Sequence, residues 1–283
     1  MTFTRRYDPL DPRLGRHVRH DPRSARPEYA LPVLPRTAIK SREWTRHIPI
    51  LNQGNVGSCV PNNGPEFLGT DTGYGYMGVT SVGIVKTDTQ GLFQAGSGWT
   101  LDEAFAQQLY RLLTRIDSYP GQWEPDDTGS DGLTLAKALV MLGLADKYSH
   151  AFSYGALVTA LTTLGPVSLG LEWENSMMET TSDGQIKVDL SSGVAGGHQV
   201  FARKFDADLD RVWIDNSWGE SWGLDGRGWF QGTELTALLK RQGDVTVPHL
   251  VTAGAPAPTP PAVVGDKDLV ATFKAWMAGH GYK

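Results

Sequence analysis

Cys59 is the single cysteine of this 283-residue chain, and it closes the segment Gln53-Gly54-Asn55-Val56-Gly57-Ser58-Cys59. Far downstream stand Gly196-Gly197-His198 and then Asn216-Ser217-Trp218-Gly219. A lone cysteine has no internal disulfide partner, and most free cysteines are small buried hydrophobes. The company this one keeps points to different chemistry: a thiol nucleophile, a histidine that takes its proton, and an asparagine that orients the histidine. A thiol attacks as thiolate, and an ordinary cysteine has a pKa of about 8.5. An adjacent imidazolium and a helix N-terminus both lower that value. Gly57-Ser58-Cys59 at the start of a helix supplies the second device and His198 the first. His198 then returns a proton to the leaving group, Asn216 fixes the ring's tautomer, and the Gln53 amide with the Cys59 N–H receives an oxyanion. The plainer alternatives are a satisfied core histidine for His198 and ordinary turn residues for Gln53 and Asn216.

These pieces, in this order, resemble the papain family of cysteine peptidases. His198 follows Cys59 by 139 residues, within the roughly 130–150 typical of that family; Asn216 follows it by 157. Thr128-Gly129-Ser130-Asp131-Gly132-Leu133 resembles the family's substrate-binding glycine loop and the helix after it, and Gly165-Pro166-Val167-Ser168-Leu169 the strand entry beside its substrate pocket. The resemblance covers about residues 47–232. It implies Cys59 as nucleophile, His198 as acid/base, Asn216 as orienting residue and Gln53 as oxyanion donor. It further implies a substrate cleft lined by Gly129, Ser130, Asp131, Gly132, Gly197 and Trp218, with Trp218 shielding the Asn–His hydrogen bond. The implied fold is α+β and two-lobed, with a helical N-terminal lobe and an antiparallel, barrel-like C-terminal lobe. The implied activity is peptide-bond hydrolysis through an acyl-enzyme, on a peptide or protein substrate and without a cofactor. A cell-wall peptide amidase is an alternative, although such enzymes tend to lack Asn-Ser-Trp-Gly. An inactive binding or virion component is another, although a dead site has no chemical need to keep all four residues. The appended segments resemble phage or actinobacterial members.

Three departures from the family pattern bear on the outcome. The cysteine that usually precedes the nucleophile is absent, which suits a reducing compartment, cytoplasmic or virion-associated. The nucleophile is followed by Val60-Pro61-Asn62-Asn63-Gly64-Pro65. Pro61 is tolerated in a first turn, whereas Pro65 removes a helical hydrogen bond at a cost of about 3 kcal/mol, so the helix is expected to start late, kink or break. No prosegment of about a hundred residues precedes the domain.

The elements that must position these groups are partly legible. Asp102–Asp117 places Phe105, Leu109, Leu112, Leu113 and Ile116 on one helical face. Leu133–Leu144 reads as a helix ended near Gly143, and Tyr154–Leu164 as a third, capped by Ser153. Strands are expected at Val167–Trp173, His198–Phe205, Arg211–Ile214 and Gly228–Gln231. Helices thus fill the first half and strands the second, the α+β pattern. Residues 70–98 read as a long surface excursion. Residues 46–250 form the domain, and 251–265 a proline-rich linker. Residues 266–283 hold a short amphipathic helix that docks on the body or binds a partner.

Charge is unevenly distributed. The net charge is −5, which argues against nucleic-acid binding by the body. Residues 1–45 are rich in Pro and Arg. Ten Lys/Arg stand against four acids in residues 1–42, leaving −11 for the remainder. A solvated arm lying on an acidic body is the simplest expectation; contact with a polyanion or partner is the alternative. A further hypothesis has the arm cross an acidic cleft and restrain activity. Asp126-Asp127 with Asp131 read as solvated loop acids, with a preference for basic substrate side chains as the alternative. Asp206-x-Asp208-x-Asp210 lacks the Gly and Glu of a calcium loop and reads as a polar turn, so no metal is expected. The start has no signal-peptide h-region, and no 18-residue apolar run exists to span a membrane.

Overall fold

The computed structural model describes residues 4–20 and 30–251. The expected terminal helix and all of the linker but Val251 lie outside those residues. The helices α1 (Cys59–Leu68), α2 (Glu103–Ile116) and α3 (Gly132–Met141) make one lobe. The other is a seven-stranded antiparallel sheet with helices α4 (Tyr154–Thr163) and α5 (Gly232–Lys240). Two short strands come first, β1 (Thr4–Arg5) and β2 (Arg42–Glu43). β3 (Ser81–Gly83) and β4 (Gly98–Thr100) form a small hairpin, and β5 (Asp126–Asp127) pairs in parallel with β1. The sheet is built from β6 (Ala145–Ala151), β7 (Val167–Glu174), β8 (Val194–Asp206), β9 (Arg211–Asp215), β10 (Arg227–Gln231) and β11 (Asp244–Leu250). Its order is β10-β9-β8-β7-β11-β6, with β2 beside β8. This is the α+β arrangement expected.

Each lobe has its own core. Phe67, Phe105, Leu109, Leu112, Leu113, Leu135 and Leu139 are buried together in the helical lobe, and Cys59 belongs to that cluster. Leu157, Leu161, Leu169, Leu171, Trp173, Phe205, Ile214 and Phe230 fill the other. The helix starts follow local chemistry: Asp102, Asp131 and Ser153 cap α2, α3 and α4, each accepting a backbone N–H three residues on, as N-cap side chains do.

The helix that begins at Cys59 departs from expectation. It starts at the cysteine and continues through Pro65 to Leu68. All ten of its residues are buried, and that burial offsets the hydrogen bond the proline removes. The Asn62 and Asn63 amides donate back to the carbonyls of Ser58 and Cys59 at 2.8 and 3.2 Å, tying down the first turn. Gly64 lets α2 approach closely: a Cβ there would lie 2.3 Å from Leu109 Cδ1. The excursion at 70–98 does not lie wholly on the surface as expected. It carries the β3–β4 hairpin and buries Tyr76, Val82, Ile84 and Phe93 in the helical core. Two three-residue strands in a Gly- and Thr-rich stretch leave too little periodicity to read. The Asp206–Asp210 segment is the polar turn expected, with Asp206 Oδ1 accepting the N–H groups of Asp208 and Leu209 at 3.1 Å. Among the described residues no cluster suited to a metal occurs, and no helix is long and apolar enough to cross a membrane.

Candidate active site

Cys59 lies at the N-terminus of α1, and His198 and Asn216 come from the sheet lobe facing it. Residues 51–53 run against the Asn-Ser-Trp-Gly segment: Gln53 N–H donates to the Ser217 carbonyl at 2.8 Å and Gly219 N–H to that of Leu51 at 2.9 Å. The Ser217 hydroxyl donates to Gln53 Oε1 at 2.7 Å, which turns Gln53 Nε2 toward the cleft. A buried ion-pair network also joins the lobes. Arg46 bridges Glu66 of α1 and Asp215 at 3.1 and 2.8 Å, and Asp215 precedes Asn216.

His198 Nε2 lies 2.8 Å from Asn216 Oδ1. An amide oxygen only accepts, so Nε2 carries the proton and Nδ1 keeps its lone pair. Nδ1 is buried and without a hydrogen-bond partner. Trp218 stacks on the imidazole with centroids 4.7 Å apart, and Trp173 meets it edge-on at 4.8 Å. Trp218 thus sits where the resemblance places a shield. Burial drives the imidazole down to about 4, against the smaller upward pull of Asn216. Burial pushes the Cys59 thiol up to about 11, although backbone N–H groups of Gln199, Gly15 and Val60 favour its thiolate. Both groups are therefore neutral at pH 7, and the thiol is at rest.

The cause is the N-terminal arm, which crosses the cleft between the lobes. Gln53 Nε2 donates to the Arg13 carbonyl at 3.0 Å. Ser130 N–H donates to the Gly15 carbonyl at 2.9 Å, Arg16 N–H to that of Gly197 at 3.0 Å, and His17 N–H to that of Ser130 at 2.7 Å. The Arg13 guanidinium lies over the Trp218 ring at 3.9 Å, and Cys59 has no exposed surface. Gly129 combines a positive φ of 67° with close contact, since a Cβ there would lie 2.2 Å from the Gly15 carbonyl oxygen. Ser130, Gly197, Gln53, Gly129 and Trp218 are thus all in contact with the arm. Asp131 and Gly132 serve differently: Asp131 caps α3 and pairs with Arg19 at 3.6 Å, while Gly132 opens the helix.

Two of the three loop acids, Asp127 and Asp131, are buried rather than solvated, contrary to expectation. Asp127 has no exposed surface. It accepts the Gly57 N–H at 3.1 Å, the Tyr110 hydroxyl at 2.6 Å and Arg5 at 3.2 Å, so it anchors both the turn before Cys59 and the arm. Asp126 pairs with Arg6 at 3.1 Å. Sequence reasoning also missed Arg13, Gly15 and Arg16 as cleft residues, Trp173 as a wall of the histidine, and Asp244 beneath Arg16. The arm's charge imbalance was the available signal for the first group; Asp244 had none.

Closure by the arm carries a pH dependence. With the arm in place His198 titrates near 4, whereas a hydrated histidine titrates near 6.5. Below 6.5 the open form binds a proton that the closed form refuses. The closed form's advantage is complete above 6.5 and is lost as pH falls toward 4. From pH 7 to pH 5 the opening equilibrium is expected to rise about 20-fold. Asp117 is held up at about 6 by burial, against the smaller downward pulls of the Tyr119 N–H, the Ser130 hydroxyl and the arm's Arg19. Hydrogen exchange of the Arg16 and His17 amides, corrected for intrinsic rate, reads the change directly; unchanged protection at pH 5 would contradict it.

No protein-family profile matches the sequence. The chain is 27% identical over 201 residues to the cathepsin B-like CP3 of Giardia intestinalis, covering 65% of this chain. It is 25% identical over 236 residues to procathepsin L of Rattus norvegicus, covering 75% of this chain. In both cases the match spans 64% of the relative's length. Among solved structures, xylellain, a cysteine protease from Xylella fastidiosa, superposes with a TM-score of 0.50 at 17% identity, covering 88% of this chain and 96% of that one. The proform of the ragweed pollen cysteine protease Amb a 11 gives 0.50 at 15% identity, covering 76% and 67%. Sequence relatives and structural neighbours alike are papain-like cysteine peptidases, and this chain shares their papain-like fold.

Proposed function

We propose that the chain is a thiol peptidase whose nucleophile is Cys59 and whose cleft is held closed by residues 13–17 of its own arm. The observation that carries this reading is the His198–Asn216 pair. It is a buried imidazole with its tautomer fixed and its basic nitrogen free, in a cleft whose other wall begins at the only cysteine. With the arm displaced and water admitted, His198 takes the thiol proton and the N-terminus of α1 favours the thiolate. The thiolate adds to the scissile carbonyl, with the Gln53 amide and the Cys59 N–H receiving the oxyanion. His198 protonates the leaving amine, and water then hydrolyses the acyl-enzyme.

A peptide or protein substrate follows from an extended backbone already hydrogen-bonded along Ser130 and Gly197. The retention of Gln53, Cys59, His198 and Asn216 in one cleft supports this reading over an inactive scaffold. Asn-Ser-Trp-Gly favours it over a cell-wall amidase. The pairing of Arg5, Arg6, Arg16 and Arg19 with acids of the body supports an intramolecular role for the arm over contact with a polyanion.

The test is intact mass after exposure to a peptidyl-epoxide thiol inhibitor. Gly15→Val protein, with its arm displaced, is expected to take one adduct rapidly, and the wild type slowly. Both denatured protein and the His198→Ala form of the displaced variant should lag by at least about a hundredfold. Equal rates in folded and denatured protein would sink the peptidase reading.

A further inference from the structure

Arg16 is the arm residue whose charge goes deepest. Its side chain has no exposed surface, against 28% for Arg5, 50% for Arg6 and 33% for Arg19. Nη2 pairs with Asp244 Oδ2 and donates to the Gln242 carbonyl at 2.8 Å. The pocket is built in register on three adjacent strands: Gly170 of β7 stands opposite Asp244 of β11 on one side and Gln199 of β8 on the other. Residues paired this way share one face of the sheet. Gly170 makes the room, because a Cβ there would lie 2.5 Å from Arg16 Nε, 2.7 Å from Asp244 Oδ2 and 2.9 Å from Gln199 Oε1. The mouth opens beside the nucleophile, where Arg16 N–H meets the Gly197 carbonyl next to His198.

Two facts separate this pocket from an ordinary surface ion pair. A buried carboxylate stripped of its partner is costly, so when the arm leaves, Asp244 faces an empty, acid-floored pocket. The polar atoms around it are also not exhausted: Arg16 Nε and Nη1, Asp244 Oδ1 and Gln199 Oε1 are all buried without partners. A site with spare acceptors at two places suits a planar guanidinium with five donors better than a point-charge ammonium. We propose that Asp244, Gln199 and Gly170 form a side-chain pocket of the substrate cleft that selects arginine, and that Arg16 is its occupant in the closed form. This rests on the peptidase reading above.

The experiment uses full-length Arg16→Glu protein, in which like charge at Asp244 empties the pocket. Gly15→Val protein serves as a second opened form should the first misfold. Matched fluorogenic peptides differing only in one residue, arginine or norleucine, placed at successive positions around the cleaved bond, are compared by kcat/KM. One position is expected to favour arginine by about 10- to 100-fold, the span of a charged hydrogen bond, with lysine between. Asp244→Asn in the same protein is expected to bring the arginine-to-norleucine ratio close to one. Hydrolysis without an arginine preference, or a preference that survives Asp244→Asn, overturns the pocket and leaves the peptidase standing. If no peptide is hydrolysed the peptidase reading falls, and fluorescence anisotropy of the same peptides decides the pocket. Tighter binding of the arginine peptide, lost in Asp244→Asn, upholds it, and equal binding overturns it.

Discussion

Gly15→Val is expected to raise the alkylation rate of Cys59 at pH 7 by at least about 20-fold. The argument is steric first. A Cβ on Gly15 would lie 2.0 Å from the Gly57 carbonyl oxygen and 2.5 Å from the Gly57 carbonyl carbon and Cα. These are backbone atoms that cannot rotate away. The Gly57 turn cannot retreat either, because Asp127 holds its N–H while also bound to Tyr110 and Arg5. The arm must therefore leave. Once water reaches the sulfur, the pKa falls from about 11 toward the ordinary value of about 8.5, and the thiolate fraction at pH 7 rises about 300-fold. The less basic thiolate is roughly 15-fold less nucleophilic, which leaves a net gain of about 20-fold before any gain in access. Iodoacetamide and intact mass suffice for the measurement, since every adduct on this chain reports Cys59. Gly15→Ala carries the same Cβ and should move the rate the same way. If folded Gly15→Val protein, checked by thermal melting, reacts no faster than wild type, the arm is not the gate.

Much of this fold was legible where local chemistry decided it. Asp102, Asp131 and Ser153 cap their helices because a short acceptor side chain before an apolar period has few other uses. Four strands of the second half, β7 to β10, announced themselves as apolar runs between Gly and Asp turns, whereas β6, β11 and helix α5 did not. Local rules failed where tertiary contact overrode them. Pro65 promised a late, kinked or broken helix, but α1, buried along its whole length, runs unbroken from Cys59 through Pro65 to Leu68. Asp127 promised a solvated loop acid, but it sits under the turn before Cys59 because Gly57 and Tyr110 converge on it from distant parts of the chain. The candidate site divides along the same line. Cys59, His198, Asn216 and Gln53 were readable because each sits in a short distinctive segment. The arm's path was not, although its +6 charge hinted at it. The acids it meets, at 126, 127, 131 and 244, are scattered along the chain, and only the fold gathers them around one cleft.

In the arm-displaced protein, Cys59→Ala is expected to abolish peptide hydrolysis, and His198→Ala to lower kcat/KM by about 10²- to 10⁴-fold. The two differ in kind. Cys59→Ala removes the atom that forms the acyl bond, and no other cysteine exists to replace it. His198→Ala leaves a thiol that is only slightly ionised at neutral pH, so residual turnover should rise with pH as the thiolate fraction grows, whereas the parent protein has His198 to take the proton. Asn216→Ala should fall between the parent and His198→Ala, since Trp173 and Trp218 still clasp the imidazole while its tautomer is no longer fixed. Groups that act on one step lose their effect together. The Cys59→Ala, His198→Ala double variant should therefore be no worse than Cys59→Ala alone, and additive losses would mean that the two serve separate steps. Cys59→Ala should leave folding intact, because it removes one small buried group from a core that Phe67, Phe105 and Leu109 dominate. Turnover that survives in folded Cys59→Ala protein would sink the assignment of the nucleophile.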